Sequence, residues 1–251
     1  VGKAIELEHV NKSFPGDRQE PVLVLEGICL DVLDQEFVSL IGPSGCGKST
    51  LFNIISGLLV PDSGSVRIHG VDVRGKTGHA SYMHQKDLLL PWRTVLDNVT
   101  IPLEIRRYAK EAARAEAMGL MEVFGLAGFE GAYPAQLSGG MRQRAALLRT
   151  YLCKNDVMLL DEPFGSLDTI TKGKLHEWLL AVWEQLRPTI LFITHDIDEA
   201  ILLSDRVYVL SERPATVREE VAVNLPRPRT KKMLTSHGFV ATKDHLLDLL
   251  S

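Results

Sequence analysis

Between Glu36 and Leu58 the chain reads EFVSLIGPSGCGKSTLFNIISGL, and this one stretch restricts the fold more than any other. A compact apolar run ends at Gly42. It is followed by a turn of small residues and then by Leu51, Ile54, Ile55 and Leu58 at helical spacing. Gly42 to Thr50 matches G-x-x-x-x-G-K-[ST] in the strand-to-helix context where that pattern holds phosphates. Gly42, Gly45 and Gly47 let the backbone curl past Pro43, which has no N–H of its own, so that successive N–H groups, those of Ser44 and Cys46 among them, converge on an anion. The helix that starts there adds its positive end. Lys48 is then expected to reach the β- and γ-phosphates of a nucleotide, with the hydroxyls of Ser49 and Thr50 beside it and Ser49 on Mg²⁺. Cys46, inside the loop, is a candidate reactive thiol because a helix N-terminus can favour the thiolate.

The rest of the chain supplies the layers such a loop needs. AIELEHV alternates like a strand, and VLVLEGICLDVL reads as two extended runs broken at Gly27. GSVRIHG and HASYMHQ are further short strands. From about residue 88 to 155 the composition turns helical, with KEAARAEAMGLMEVFGL and a helix from Ser138, its expected N-cap, to Cys153. Strand-like DVMLL, TILFIT and RVYVLS follow, separated by helices near 172–186 and 197–203. Strands alternating with helices predict an α/β fold with a largely parallel sheet. No apolar run approaches the roughly 20 residues that span a bilayer, and no signal-peptide pattern opens the sequence. Three widely spaced cysteines suggest neither a disulfide framework nor a zinc cluster, so a reduced, cytoplasmic setting is expected. A net charge of −4 argues against a nucleic-acid partner.

Two buried-looking strands end in residues suited to phosphate chemistry. VMLLDEP closes on Asp161, an oxygen ligand suited to Mg²⁺, and Glu162, a candidate general base for water. TILFITHD closes on His195, at the end of a parallel strand, where α/β sheets gather ligands. Gln85 ends HASYMHQ and by itself reads as a turn residue. A second small-residue helix start, QLSGGMRQR, offers Ser138, Gly139 and Gly140 to an anion, without saying whose.

Taken in order, GPSGCGKST, Gln85, LSGGMRQR, VMLLDEP, SLD and His195 resemble the ATPase subunits of ABC transporters, nearly end to end. In that family these are the Walker A loop, Q-loop, signature motif, Walker B strand, D-loop and switch histidine. LLLPWRTVLDNV, DEPFGSLD and LPRPR are similar to the nitrate/sulfonate/taurine importer group, which includes bicarbonate and thiamine-precursor pyrimidine systems. YMHQ and LLRTYLCKN depart mildly from its usual wording. The resemblance implies a RecA-like P-loop core with an antiparallel β subdomain and an inserted helical subdomain at about 88–155. It also implies an ATPase domain over 1–217 and a C-terminal extension over 218–251. Phe14 is implied to stack on adenine, Gln85 to join Ser49 and Asp161 at Mg²⁺, and Glu162 and His195 to orient the attacking water. Ser138, Gly139, Gly140 and Asp168 are implied to complete the ATP site of a second copy. Arg142 and Arg144 are instead expected to brace the helical lobe. The partners implied are integral-membrane permease subunits, received near Pro91, Trp92 and Leu96, and an extracytoplasmic solute-binding protein. That places the chain on the cytoplasmic face of the membrane. Packing inside the lobe competes as an account of Trp92 and Leu96. Soluble ABC ATPases acting on DNA or ribosomes are the rival within the family. They usually carry two cassettes or a long coiled-coil insertion, and this chain has neither. A nucleotide-dependent scaffold without turnover is the second rival, and the full set of Lys48, Asp161, Glu162 and His195 counts against it.

Overall fold

The computed structural model describes residues 2–16, 20–165 and 167–251. Two long strands open the chain, β1 (Lys3–Pro15) and β2 (Pro21–Leu33), followed by β3 (Phe37–Ile41), α1 (Lys48–Ile55), β4 (Ser63–Ile68), β5 (Val71–Asp72) and β6 (Ser81–Met83). The helical stretch holds α2 (Val95–Val99), α3 (Ile101–Ile105), α4 (Lys110–Met121) and α5 (Gly139–Tyr151). Then come β7 (Val157–Asp161), α6 (Thr169–Leu186), β8 (Thr189–Ile193), α7 (Ile197–Leu203), β9 (Arg206–Leu210), β10 (Val217–Ala222) and α8 (His237–Leu250).

A six-stranded sheet runs in the order β10-β9-β3-β8-β7-β6, and a four-stranded sheet in the order β2-β1-β4-β5. Within the first, β3, β6, β7, β8 and β9 pair in parallel, and β10 is an antiparallel edge. Every residue of β3, β7 and β8 is buried, as expected for strands covered on both faces. Their side chains alternate between two cores. Phe37, Ile41, Met158 and Leu160 join the helices on one face, whereas Val38, Leu40, Val157 and Leu159 face the antiparallel sheet and α1.

Two expectations change. Gly27 does not break its run: β2 is one strand, and Gly27, at φ 57°, is held by its N–H donating to Asn11 Oδ1 at 2.8 Å. A glycine takes that left-handed turn without a Cβ clash, so the strand bulges rather than ends. The boundary anticipated at 217/218 falls inside β10, which continues the main sheet by pairing with β9.

The LPRPR segment explains how the C-terminal region is attached. Arg227 lies over the Trp183 ring at 4.0 Å and binds Asp205 at 2.8 Å. Arg229, only 4% exposed, donates to the carbonyls of Ile201, Ser204, Val223 and Leu225. Two of these, Ile201 and the C-cap Ser204, are at the C-terminal end of α7, where carbonyls have no partners within their own helix. Burial, then the Arg227 charge, pulls the Arg229 guanidinium down to about 10, with Asp205 opposing, so it stays protonated at neutral pH. Arg229→Met keeps the stem but strands those acceptors. We expect a loss of about 2–4 kcal/mol, read from the urea midpoint, and a change below about 0.5 kcal/mol would refute it.

Candidate active site

Because β3, β8, β7 and β6 are successive neighbours, the loops leaving their C-terminal ends share one edge. Those loops carry Gly42–Gly47, His195, Glu162 and Gln85 respectively. The phosphate loop turns at Gly45 (φ 77°) and Gly47 (φ 129°). A Cβ on Gly47 would come within 3.0 Å of Val24 and Leu25 side chains, so the position needs glycine twice over. α1 begins at Lys48 with Gly47 as its N-cap and no side-chain cap. Lys48 is 7% exposed, and its ammonium donates to the carbonyls of Gly42 at 2.8 Å and Pro43 at 3.0 Å. Neutral carbonyls hold this cation without neutralising it, which suits the loop to an anion. Ser44, Gly45 and Ser49 are exposed, and Pro43 and Thr50 are half-buried. Cys46 is buried with its sulfur 3.9 Å from Lys48 Nζ, so a thiol reagent reaches it only if the loop opens.

Glu162 is the centre of the constellation. It sits at φ 44°, a left-handed backbone held by its own N–H donating to Ile193 O at 3.0 Å. Its Oε2 lies 3.3 Å from Gln85 Nε2 and 3.3 Å from His195 Nδ1. Three loops therefore deliver one side chain each to a single point. Asp161, one residue back, is buried beneath them. Burial pushes its carboxyl above the usual range and Glu162 adds to the shift, whereas hydrogen bonds from Ser49 and Tyr82 oppose it. A cation there would relieve the desolvated carboxylate, so Asp161 with Ser49 and Gln85 fits Mg²⁺. Among the described residues no cluster of three or more His, Cys, Asp or Glu side chains could hold a metal. Mg²⁺ keeps several waters and binds through few carboxylates plus phosphate, so one carboxylate with a hydroxyl and an amide suits its chemistry.

Sequence reasoning did not find Tyr82. Its hydroxyl donates to Asp161 Oδ2 at 3.1 Å, and its ring packs edge-on to Phe52 and tilted against His84. Burial beside that carboxylate drives the phenol above its usual range, so it remains a donor. Arg213 is a second such residue, donating to Gly45 O at 2.6 Å from outside the loop.

The signature residues lie elsewhere. Ser138 is exposed and caps α5, accepting from Met141 N at 3.3 Å. Gly139 and Gly140 pack against Leu167, Thr171 and Leu175 at the start of α6, where a Cβ on Gly140 would sit 3.3 Å from Thr171. Asp168 is exposed and caps α6, accepting from Ile170 N at 3.1 Å and Thr171 N at 3.0 Å. A hydrogen bond from the Thr171 side chain, and then these backbone bonds, hold its carboxyl below the usual range. Ser166 of the same SLD motif lies outside the described residues. Arg142 binds Leu137 O and Asp87, and Arg144 lies over the Trp178 ring at 4.8 Å, so both brace the lobe. Phe14 stands on β1 with its ring partly open and Lys12 Nζ 5.5 Å from the centroid. Leu96 is buried in the lobe, but Trp92 is 71% exposed and Pro91 is exposed beside it. Packing thus accounts for Leu96 and not for Trp92.

Residues 25–165 match the family profile described as ABC transporter. The chain is 40% identical to the nitrate import ATP-binding protein of Synechocystis sp., covering 98% of this chain and 94% of that one. It is 46% identical to the formylaminopyrimidine import ATP-binding protein of Halalkalibacterium halodurans, covering 89% and 86%. Among solved structures, a dimeric post-hydrolysis ATP-binding cassette bound to ADP and Pi superposes with a TM-score of 0.75 and 30% identity, covering 88% of this chain and all of that one.

Proposed function

Since this chain belongs to the ABC transporter ATP-binding family, we propose that it is the ATP-hydrolysing subunit of an importer for a small solute, acting as a pair of copies beneath a separate membrane permease. The observation that carries the reading is Glu162 Oε2, 3.3 Å from both Gln85 and His195, on the sheet edge that bears the phosphate loop. Gly42–Thr50 hold the triphosphate, Lys48 moves from its loop carbonyls to the β- and γ-oxygens, and Phe14 stacks on adenine. Ser49, Gln85 and Asp161 would hold Mg²⁺, which when bound would supply charge neutralisation at the phosphates. Glu162 takes the proton of the attacking water, and His195 donates to the γ-phosphate region as its charge develops.

Ser138 and Asp168 are exposed helix caps, and Gly139 and Gly140 open α5 beside them. On this reading they complete the second copy's site, with backbone N–H groups at the α5 N-terminus facing its phosphates. The exposed Pro91–Trp92 corner of the helical subdomain (88–155) receives the permease. A solute-binding protein delivers cargo from outside, and the cassette works at the cytoplasmic face. The ATPase domain runs through β10, which belongs to the main sheet, and the segment after it is tied to α7 by Arg227 and Arg229. The relatives import a nitrate anion and a formylaminopyrimidine, so the solute is a small nutrient chosen by other subunits. Among the described residues no helix is long and apolar enough to cross a membrane, which leaves the pathway to the permease.

A site shared between copies makes turnover second-order in protein. Mg²⁺-dependent ATPase activity per chain should rise with concentration until dimers saturate, and permease subunits should co-purify from detergent-solubilised membranes. Specific activity that is constant with concentration, with no permease recovered, would overturn this reading.

A further inference from the structure

Behind the catalytic edge lies a buried polar chain to which the mechanism above gives no role. His176, on α6, is 8% exposed, and its Nε2 lies 2.7 Å from Glu199 Oε1 on α7, itself 4% exposed. The other carboxyl oxygen of Glu199 accepts from Thr194 Oγ1. Thr194 Oγ1 in turn accepts from Asp196 N at 3.0 Å, so its own proton is committed to Glu199. Asp196 closes the ring by accepting from Glu199 N at 3.2 Å. His195 stands between Thr194 and Asp196, so both of its backbone neighbours are tied to this network while its ring stays exposed near Glu162. The His176 ring also packs against Phe164, at 5.6 Å between centroids, two residues past Glu162. One buried imidazole thus backs both arms of the catalytic pair. The helix that carries it, α6, is capped by Asp168.

We propose that His176 is a positioning residue for hydrolysis, setting His195 through Glu199 and Thr194 and supporting Glu162 through Phe164. The physical reason is the cost of an unpaired buried carboxylate. Without His176, Glu199 Oε1 loses its donor in a site closed to water and must turn toward another. That turn pulls Thr194, and with it the backbone of His195. Displacements of about 1 Å in a catalytic group can cost about 10²-fold in rate. Binding of ATP is untouched, because the phosphate loop takes no part in the network.

The inference rests on the ATPase reading, and one set of variants separates the two. His176→Leu should lower kcat about 10–100-fold with ATP affinity within about twofold of wild type. His176→Gln, whose amide can donate to the same carboxyl oxygen, should restore most of the rate. In ¹⁵N-histidine spectra the His195 ring resonance should move in the leucine variant and return in the glutamine variant. Should His176→Leu fail to fold, Thr194→Val removes only the hydroxyl link and should show the same rate loss and the same moved resonance. A folded His176→Leu with wild-type kcat would overturn the inference. So would glutamine failing to rescue, or equal losses in kcat and ATP affinity. Wild-type protein without turnover would overturn the ATPase reading instead.

Discussion

Glu162→Gln should lower kcat about 10²–10⁴-fold while leaving ATP binding intact. The substitution is nearly isosteric. A glutamine oxygen can still accept from Gln85 Nε2, now at 3.3 Å, and the neighbours of the side chain need not move. What is lost is the group able to take a proton from water. The left-handed backbone at this position, φ 44°, is carried by the N–H bond to Ile193 O and does not depend on the carboxylate, so the fold should survive. Binding relies on the phosphate loop, on another strand, and should hold its affinity. With hydrolysis blocked, ATP stays between two copies, and size-exclusion chromatography should show a dimer with ATP and a monomer without it. A variant that turns over within a few-fold of wild type would remove Glu162 from the base role and shift attention to His195.

Much of this site was legible because strand-end chemistry is local. β3, β7 and β8 announced themselves as short apolar runs, and the residues that follow them fall on one edge whenever parallel strands are adjacent. The helix bounds near 197–203 and the Ser138 cap were also readable, since periodicity and capping act within a few residues. What could not be read depends on pairing across long separations. Tyr82 looked like one more alternating strand residue, and only the parallel pairing of β6 with β7 brings its hydroxyl to Asp161. Gly27 looked like a break because nothing local shows that Asn11 will accept its N–H. His176 was an ordinary position on a helix until α7 folded Glu199 against it. Trp92 and Leu96 could not be separated by composition. The helix starts at Val95, which turns Leu96 inward and leaves Trp92 in the preceding turn.

Lys48→Ala addresses the other half of the chemistry and should act on both binding and rate. In the structure the ammonium is buried and donates to the Gly42 and Pro43 carbonyls, with the Cys46 sulfur 3.9 Å away. Removing it leaves those carbonyls facing a small void, a modest cost that bound water can offset. The larger consequence appears when ATP arrives. The backbone N–H groups of the loop and the α1 N-terminus can still cradle phosphate, so weak binding should persist. The charge that builds on the γ-phosphate oxygens during transfer then has no cation on the protein side. Losing one such preorganised contact costs about 10²–10³ in kcat in comparable sites. We therefore expect kcat/KM to fall by at least that factor, with measurable weakening of ATP affinity by equilibrium titration. Lys48→Arg should not restore the rate, because a planar guanidinium cannot reproduce the compact point charge that Gly42, Pro43 and Cys46 now surround. The contrast with Glu162→Gln is the diagnostic one. Loss of the lysine weakens both nucleotide binding and turnover, whereas loss of the carboxylate spares binding. An alanine variant with wild-type turnover would mean that the loop does not hold the reacting phosphates.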